Sequence, residues 1–400
     1  MRRITVIGLD GRPLSQEAAG LLEGAAIVAG GRRHLEELAV GPERATPLDG
    51  NLSAALARIE AEGGPVVVLA SGDPGFFGIT RLLGERFGTA NLHVLPAVSS
   101  VALAFARAGV SWDDAVTVSA HGREPRRAVN VCRAHPKVAV LTSPDFGPAE
   151  LAASLDGLGR TFIVAERLGG PDERVFRGDA GSVVVGKGWD DPNVVIVLDE
   201  ERASGKGWIS SGHESTGRWA VPEDEFEHRS GMITKGPTRA LALSRLGPGP
   251  GDLVWDVGAG SGSVAIECAR LGAAAVAVER DPESCARIRR NADRHAAYLE
   301  VVEGDAPEAL RDLIEPDAVF VGGTGGAFEE IVKLCAVRAR RSVVLTLIGL
   351  ERVVPAGKVL EDCGLRVETT LLQTSSVRGI ASMHRLVPEG AAFLVCGSRS

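Results

Sequence analysis

A glycine-rich turn in the second half of the chain carries the strongest chemical signal in the sequence. Residues 253–257, Leu-Val-Trp-Asp-Val, are typical of a buried strand, and Gly258, Gly260 and Gly262 follow at every second position. Glycines at this spacing allow a tight turn and let a ligand approach main-chain N–H groups at the start of the next helix. The spacing Gly-x-Gly-x-Gly fits an S-adenosylmethionine loop better than the dinucleotide pattern Gly-x-Gly-x-x-Gly. The sequence therefore predicts that these glycines and Asp256 bind S-adenosylmethionine.

Acidic residues after the next two predicted strands complete this site. Glu279 ends the second strand, 23 positions after Asp256, where a carboxylate can accept hydrogen bonds from both hydroxyls of a ribose. A carboxylate near the adenine amino group is expected after the third strand, where the chain reads Gly304, Asp305 and Ala306. An ordinary glycine turn with two surface acids would show the same residue types. Three elements in the required order favour the binding site.

The loop after the fourth predicted strand bears on the substrate. Residues 319–326 read Val-Phe-Val-Gly-Gly-Thr-Gly-Gly and include Gly322, which we expect beside the donor. Methyltransferases that act on exocyclic base nitrogens usually carry Asn or Asp followed by Pro-Pro here, and the sequence lacks that motif. A glycine-rich loop leaves room for a bulky substrate. The alternative is a flexible loop with no ligand role.

Two similar turns occur in the first half of the chain. Residues 70–78 read Ala-Ser-Gly-Asp-Pro-Gly-Phe-Phe-Gly between a predicted strand and a predicted helix, and Pro74 fixes φ in that turn. Residues 95–100, Leu-Pro-Ala-Val-Ser-Ser, repeat the arrangement, with Ser99 or Ser100 able to cap the helix that follows. On composition alone, both segments are equally consistent with ordinary turns and caps.

Composition argues against several classes of protein. The chain has 400 residues, 44% of them hydrophobic, which is enough for two cores of ordinary size. A formal charge of -8, one tyrosine and five tryptophans argue against a nucleic-acid partner, which would need clustered cations and stacking aromatics. The six cysteines show no disulfide or metal spacing and indicate free thiols in a reducing compartment. No apolar run approaches the roughly 20 residues of a membrane span, and residues 4–9 are too short for a signal peptide, so we expect a cytoplasmic protein.

Strands that alternate with helices must position these turns. The β-rich runs predict an α/β fold in each half of the chain. The predicted strands are 4–9, 66–70, 93–95, 116–119, 138–141, 162–165 and 194–198 in the first half, and 253–257, 275–279, 301–302, 319–321 and 343–347 in the second. Two further runs, 365–372 and 391–396, lack an intervening helix and predict an antiparallel pair at the edge of the second sheet. In residues 201–222 apolar residues do not recur at the spacing of a helix or a strand, and this segment is predicted to be a linker.

The first half resembles the tetrapyrrole methylase family over roughly residues 3–200. The two turns described above carry the resemblance, and residues 119–123, 166–169 and 192–195 narrow it to the C5-methylating branch of cobalamin biosynthesis. Members of this family bind S-adenosylmethionine in a cleft between two α/β lobes. The resemblance therefore implies donor contacts from Ser71, Gly72, Asp73, Phe76, Ser99 and Ser100.

The second half resembles the C15-methylating, decarboxylating component of the same pathway over residues 223–397. Residues 231–235, Gly-Met-Ile-Thr-Lys, carry this resemblance together with the glycine turn and the loop at 319–326. Both halves on one chain resemble the bifunctional precorrin C5,15-methyltransferases. The fusion implies a tetrapyrrole methylase domain at 1–203, a linker at 204–222 and a class I, Rossmann-like methyltransferase domain at 223–400. Each domain would hold its own S-adenosylmethionine.

The resemblance also implies a reaction. Methylation of precorrin-6B at C5 and C15, with loss of the C12 acetate carboxyl group as carbon dioxide, would give precorrin-8X. Fused chains of this type resemble the metal-free route, and a cobalt-containing substrate is the alternative. The meso carbons of a reduced tetrapyrrole are nucleophilic, and the macrocycle can accept the electrons that decarboxylation releases. Alignment of the reactants is therefore the main requirement. We expect no metal, no cofactor besides the donor, and a homo-oligomer.

Cationic side chains should line the substrate pocket, because a tetrapyrrole of this kind carries several carboxylates. The candidates are Lys235, Arg239, Arg352, Arg378, His384 and Arg385 in the second half, and His121 and Arg123 in the first. Lys235, Arg239 and His121 are predicted to be catalytic. For each candidate, a solvated surface charge or a capped turn is the alternative.

Two other functions stay open at this point. Relatives of the tetrapyrrole methylases modify ribosomal RNA, so the chain could be an RNA methyltransferase, although its acidity and few aromatics argue against this. Alternatively, one half could be a non-catalytic scaffold. The first half is the suspect, because residues 8–15 depart from the longer Gly-Pro-Gly-Asp-Pro type of sequence that is common in the family.

Overall fold

The computed structural model describes residues 4–48, 50–186, 188–202, 219–229, 231–380 and 383–399. Contacts among these residues separate them into two compact units. The first unit comprises residues 4–123 and 137–202, and the second comprises residues 124–136 and 219–399. Most of the predicted linker, 204–222, lies outside the described residues. None of the described helices is long and apolar enough to cross a membrane.

Up to residue 202, strands and helices alternate as the sequence predicts. The strands are β1 (Ile4–Leu9), β2 (Ile27–Gly30), β3 (Ala45–Pro47), β4 (Val66–Ser71), β5 (Leu92–Leu95), β6 (Val116–Ser119), β7 (Lys137–Leu141), β8 (Thr161–Glu166), β9 (Arg174–Gly178) and β10 (Asn193–Leu198). The helices are α1 (Gln16–Glu23), α2 (Arg32–Glu37), α3 (Leu52–Ala61), α4 (Thr80–Phe87), α5 (Ser100–Ala108), α6 (Pro125–Ala134), α7 (Pro148–Ser154) and α8 (Ala180–Val185). Each strand predicted in this half is confirmed, and β2, β3 and β9 are additional.

The first unit contains two sheets. The first sheet is parallel, with the order β3-β2-β4-β1-β5. The second has the order β6-β7-β10-β8-β9, in which only β6 and β7 run parallel. Because β1, β4 and β5 are adjacent and parallel, the loops that follow them leave the same edge of the first sheet.

The second unit is built on one sheet. Its strands are β11 (Leu253–Val257), β12 (Ala274–Glu279), β13 (Glu300–Glu303), β14 (Ala318–Val321), β15 (Ser342–Leu347), β16 (Arg366–Ile380) and β17 (Met383–Ser398). Besides α6, its helices are α9 (Gly236–Leu246), α10 (Ser263–Arg270), α11 (Pro282–Arg294), α12 (Phe328–Arg338) and α13 (Leu350–Asp362). The residues of α6 fall within the predicted first domain, 1–203, but their contacts group them with this unit.

The strand order in the second unit is β13-β12-β11-β14-β15-β17-β16. The direction of winding reverses between β11 and β14, and open α/β sheets bind ligands at such a reversal, beyond the carboxyl ends of the strands. The five predicted parallel strands and the antiparallel pair at the edge are confirmed. The prediction of a mixed α/β fold with an antiparallel edge is therefore correct.

Side chains of β11 point alternately to the two faces of the sheet, and each face packs against different helices. Trp255 faces one side, in a cluster with residues of α12 and α13, and Val254 faces the other, in a cluster with residues of α9 and α10. Both side chains are fully buried. A parallel strand covered on both faces reads as a continuous apolar run, which is why the sequence pattern located β11 correctly.

The antiparallel pair is longer than predicted. Only residues 393–398 of β17 pair with β15, and Phe393 lies opposite Leu347, the last residue of β15. The remaining residues of β17 pair with β16 alone, up to Ile380 opposite Met383. Residues 372–380 and 383–392 thus form a two-stranded ribbon that continues past the carboxyl end of β15.

The end of the predicted linker belongs to the core of the second unit, which corrects the prediction. Val221 is only 2% exposed and packs with residues of α9 and α10. The main-chain N–H groups of Ala220 and Val221 donate to the carboxylate of Glu267, at 2.9 and 2.8 Å. Arg239 donates to the same carboxylate at 3.2 Å. One buried carboxylate on α10 therefore holds α9 and the segment before it.

We expect Glu267→Gln to destabilise the second unit by about 3–5 kcal/mol, because it leaves the Arg239 charge buried without its partner. The matched control is Glu368→Gln, which removes the exposed ion pair between Glu368 and Arg245 and should cost no more than about 1 kcal/mol. Urea unfolding followed by tryptophan fluorescence measures both. Equal losses in the two variants would contradict a structural role for the buried pair.

Candidate functional site

The glycine turn of the second unit has the tight geometry that its spacing predicts. Gly258, Gly260 and Gly262 all have positive φ, +68°, +58° and +75°. A Cβ on Gly258 would collide with the carbonyl oxygen of Gly323, and one on Gly262 would lie 2.8 Å from a side-chain carbon of Ile288. A Cβ on Gly260 would meet no atom within 4 Å. The turn is therefore packed on its inner side and open on its outer side, where a ligand would lie.

Glu279 lies beside this turn at the end of β12, the neighbour of β11. One oxygen of its carboxylate accepts a hydrogen bond from Gly260 N at 2.9 Å, and the other accepts from Asp281 N at 3.1 Å. The carbonyl oxygen of Glu279 accepts from Gly304 N at 3.0 Å, which brings the 304–306 loop to the same edge of the sheet. The structure thus gathers the predicted ribose and adenine residues next to the glycine turn.

Asp256 does not face this open side, which corrects its predicted role as a ligand contact. Its side chain is 1% exposed, and one carboxylate oxygen accepts a hydrogen bond from Ala265 N at 3.0 Å. Burial raises the pKa of Asp256 to about 7, the charge of Glu279 adds to the rise, and the Ala265 hydrogen bond opposes it. Asp256 is a positioning residue that fixes the first turn of α10 behind the glycines.

The glycine-rich loop after β14 contacts the glycine turn directly. Gly322 N donates to the carbonyl oxygen of Val257 at 2.9 Å. Arg352, a predicted substrate contact, points to the loop instead and donates to Thr324 Oγ1 at 3.0 Å and to the carbonyl oxygen of Gly325 at 3.2 Å. In this structure Arg352 therefore positions the loop.

A surface cavity of about 470 Å³ lies between the starts of α12 and α13, with Phe328 and Arg352 in its lining. Glu329, Glu330 and Glu351 also line it. Three carboxylates against one guanidinium make this cavity unfavourable for a polycarboxylated ligand.

The other cationic candidates of the second unit differ in exposure. Lys235 is exposed at the start of α9. Arg378 and Arg385 lie directly opposite each other on the ribbon, where His384 lies opposite a glycine, and all three side chains are exposed. These residues can reach a ligand, and the two facing arginines favour an anion between or above them.

Arg239 cannot act on a substrate, which corrects its prediction as catalytic. Its side chain is fully buried, and besides Glu267 it donates to the carbonyl oxygens of Thr234, at 2.6 Å, and Val221. The side chain thus makes hydrogen bonds to three buried or partly buried partners. A guanidinium engaged in this way holds the structure and is inaccessible to a carboxylate in solution.

The loops after β1, β4 and β5 meet at one edge in the first unit. Gly72 N donates to the carbonyl oxygen of Leu9 at 2.6 Å, and Val98 N donates to a carboxylate oxygen of Asp10 at 3.4 Å. Gly72 has φ of +61°, and a Cβ there would lie within 3.3–3.5 Å of residues 98–100. The two turns that the sequence singles out are therefore in contact.

Side chains in these two turns mostly stabilise the turns themselves. Asp73 accepts a hydrogen bond from Gly75 N at 2.8 Å. Ser99 accepts one from Ala102 N at 3.2 Å and is the N-cap of α5, while Ser100 is the first helical residue. The predicted capping role thus falls to Ser99.

Two residues near these turns were not predicted. His34, buried on α2, makes a hydrogen bond of 2.7 Å between Nε2 and Ser71 Oγ. Burial lowers the pKa of His34. Asp10 pairs with Arg12, and that hydrogen bond lowers the pKa of Asp10. His34 follows β2, a strand that the sequence pattern did not reveal, so no signal connected it to Ser71.

The second sheet of this unit contributes the turn after β6 and the loop after β8. His121 and Arg123 are exposed in the turn, and the guanidinium carbon of Arg123 lies 6.0 Å from the ring centre of Phe77. Gly169 and Gly11 cross so closely that a Cβ on either would collide with the main chain of the other segment. Loops of the first sheet thus approach loops of the second sheet within the first unit.

Among the described residues, no group of three or more His, Cys, Asp and Glu side chains is placed to hold a metal ion.

Two family models match the chain, one in each half. A model described as tetrapyrrole (corrin/porphyrin) methylases matches residues 7–184, and a model described as precorrin methyltransferase domain matches residues 224–386. The boundary between the matches falls around the segment that is not described.

Curated relatives include one that spans both halves. A Sinorhizobium sp. protein named precorrin-6Y C(5,15)-methyltransferase (decarboxylating) is 40% identical over 361 residues, 85% of this chain and 82% of that protein. A Salmonella typhimurium protein named cobalt-precorrin-7 C(5)-methyltransferase is 35% identical over 207 residues, 49% of this chain and 99% of that protein. A Methanothermobacter thermautotrophicus protein named probable cobalt-precorrin-6B C(15)-methyltransferase (decarboxylating) is 33% identical over 183 residues, 44% of this chain and 94% of that protein.

The raised pKa of Asp256 predicts a pH effect on stability. In the folded chain, the Asp256 carboxyl group keeps its proton up to about pH 7, whereas an ordinary aspartate has a pKa of 3.8. The contribution of Asp256 to stability therefore falls as the pH rises from 3.8 to about 7, and it is constant above pH 7. Asp256→Asn does not titrate. Its free energy of unfolding relative to the unsubstituted chain should therefore rise by roughly 1 kcal/mol per pH unit between pH 5 and 7.

Urea unfolding at several pH values measures this difference. The control is Asp293→Asn, which removes an exposed carboxylate from α11. Parallel pH curves for Asp256→Asn and the unsubstituted chain would show that Asp256 is already ionised at pH 5, contrary to the prediction.

Proposed function

Because the chain belongs to the family of the precorrin-6Y C5,15-methyltransferases (decarboxylating), we propose that it binds two molecules of S-adenosylmethionine, one in each compact unit. One observation supports this proposal: each unit gathers glycine turns and acidic side chains at the carboxyl ends of adjacent parallel strands. The sheets of the two units differ in strand order. When bound, S-adenosylmethionine supplies an electrophilic methyl group. The chain's own residues bind it, orient it and exclude water.

In the second unit, the outer face of the Gly258–Gly262 turn fits such a ligand. Gly260 leaves open space where a side chain would project, and its N–H is within reach of the Glu279 carboxylate. We assign Glu279 to the ribose hydroxyls, the loop of Gly304, Asp305 and Ala306 to the adenine, and Gly322 to the side of the donor that faces the substrate. Asp256 is assigned no contact with the donor; it holds the start of α10 through its hydrogen bond with Ala265 N.

In the first unit, we assign the donor to the edge formed by the loops after β1, β4 and β5. Ser71, Gly72, Asp73 and Phe76 would contact it from the first turn, and Ser99 and Ser100 from the second. His34 holds the Ser71 hydroxyl and so orients that turn. The altered loop at residues 8–15 still contributes, because Asp10 accepts a hydrogen bond from Val98 N.

We propose that the two units divide the chemistry. The first, residues 1–203 in the sequence assignment, would methylate C5, and the second, residues 223–400, would methylate C15 and remove the C12 acetate carboxyl group. The relatives named for a single reaction each match about half of this chain, which supports the division. The substrate is precorrin-6B and the product precorrin-8X. The precorrin names of the relatives give no support to an RNA methyltransferase.

The main requirement of the reaction is that the chain holds the donor and the substrate in the correct orientation. Methyl transfer forms one carbon–carbon bond as the carbon–sulfur bond of the donor breaks, and fixed geometry alone can remove several kcal/mol of such a barrier. In the decarboxylation, the released electron pair enters the conjugated macrocycle, which then takes up a proton. Lys235, Arg378 and Arg385 are assigned to substrate carboxylates in the second unit, and His121 to the first.

We further propose that the chain forms a homo-oligomer through the ribbon. Val377 and Leu386 lie opposite each other and are 63% and 70% exposed. They lie on the face of the ribbon opposite to that of Arg378 and Arg385, because successive strand residues alternate between faces. The ribbon also leaves unpaired strand edges, which invite pairing with another strand. A second copy of the chain offers the same apolar residues and the same edges. We also propose a cytoplasmic setting, because the spacings of the six cysteines are not typical of disulfides.

Donor binding to the full chain tests the two-site proposal. Titration calorimetry with S-adenosylhomocysteine should give two sites per chain. Glu279→Ala should weaken one site by roughly 10- to 100-fold, because it removes charged hydrogen bonds to the ribose. Gly72→Val should abolish the other, because its φ of +61° excludes a branched side chain.

Product analysis separates the roles of the two sites. Glu279→Ala should retain C5 methylation, and Gly72→Val should retain C15 methylation with carbon dioxide release. A single site in the unsubstituted chain would support a scaffold role for one unit and would contradict the proposal.

The ribbon is tested by light scattering after gel filtration. Leu386→Glu should reduce the oligomer to a smaller species, because it places a charge in an apolar interface. Val185→Glu is the matched control, since Val185 is 77% exposed on α8 of the first unit. A monomeric unsubstituted chain, or an unchanged oligomer in Leu386→Glu, would contradict this assignment.

A further inference from the structure

Phe77 has an unusual backbone conformation. Its φ is +54°, in the left-handed region that bulky side chains rarely adopt, and its side chain is 49% exposed. Burial of the ring cannot compensate for this conformation, because half of the ring surface faces solvent. Strain of this kind is found at ligand sites and persists where the surrounding structure enforces it. The residue lies in the 70–78 turn, one position after the predicted donor contact Phe76.

The surroundings of Phe77 are those of a binding surface. Its ring packs edge-on against Phe76, with ring centres 5.0 Å apart and an angle of 82° between the planes. Phe76 is 36% exposed, so the two rings form one apolar surface. Arg123 approaches Phe77 to 6.0 Å from the other sheet of the unit. Among the described residues, Arg123 has no carboxylate partner, although it is exposed.

We propose that Phe77 and Arg123 together form the tetrapyrrole subsite of the first unit, in which the phenyl ring contacts the face of the macrocycle and the guanidinium binds one of its carboxylates. This inference rests on the proposed C5-methylating role of that unit. A planar conjugated ligand offers a face for aromatic contact. A carboxylate on the edge of the same ligand matches the fork of an arginine side chain.

The arrangement also explains why the strain persists. The left-handed conformation at Phe77 turns the chain so that two consecutive aromatic rings project from one loop, whereas consecutive residues of an extended strand point to opposite faces. The ring and the guanidinium come from loops on two different sheets. A ligand that contacts both is therefore held between the two loops, next to the turn assigned to the donor.

Phe77→Asn tests the subsite without disturbing the fold. Asn tolerates the left-handed conformation, so the variant loses the ring and relieves the strain. We expect its melting temperature to equal or exceed that of the unsubstituted chain. The KM for the tetrapyrrole in C5 methylation should rise about tenfold, since an aromatic contact is lost. The affinity for S-adenosylhomocysteine in the first unit should stay within about twofold.

Arg123→Gln should raise the same KM by a similar factor, and the double variant should show less than the product of the two effects, because both residues hold one ligand. Trp112→Leu is the control, an exposed aromatic that precedes β6, whereas Arg123 follows it. C15 methylation and carbon dioxide release should be unchanged in all three variants.

Three outcomes of these measurements would contradict either the subsite or the proposed function. An unchanged KM in Phe77→Asn, with normal donor binding, would remove the subsite and leave the two-site proposal intact. A loss of donor affinity equal to the rise in KM would make Phe77 a donor contact and overturn the inference. Absence of donor binding to the first unit of the unsubstituted chain would instead overturn the proposed function itself.

Discussion

Close main-chain contact between glycine turns is the constraint on which both units depend. In the second unit, the carbonyl oxygen of Gly323 occupies the place where Gly258 would carry a side chain. In the first, Gly8 is pressed in the same way against the main chain of Gly72 and of the segment at Ala97. Parallel strands bring their carboxyl ends to one edge, but the loops that follow can touch only where side chains are missing. Each edge can then present main-chain N–H groups and carboxylates at a fixed spacing.

Burial divides the charged residues of the second unit into two groups with different roles. Arg239, Glu267 and Asp256 are shielded from water and join main-chain segments around the sheet. A buried charge needs its partners at all times, so such residues cannot exchange them for a ligand. Arg378 and Arg385, by contrast, lie opposite each other on the ribbon with exposed side chains. The same residue type is thus buried and stabilises the fold in one place and is exposed at the surface in another.

Much of the fold could be predicted from the sequence. Residues 253–257 form β11 as predicted, because a strand buried on both faces is apolar at nearly every position. The pattern failed where strands are short. Ile27–Gly30 and Ala45–Pro47 contain alanine, glycine and proline, which have weak strand preference, and tertiary contacts alone make them strands. With β2 unpredicted, His34 could not be linked to Ser71.

The sequence by itself determined where the turns lie and which of them contain the glycines that a close ligand requires, since these depend on local backbone freedom and on the period of apolar residues. Only the tertiary structure decided which charged side chains are buried. Arg239 and Lys235 lie four positions apart and read alike in the sequence, yet one is enclosed and the other exposed. Burial depends on which distant segment packs over a residue, and for Arg239 these are Glu267 and the chain at Val221. No local pattern encodes such a contact.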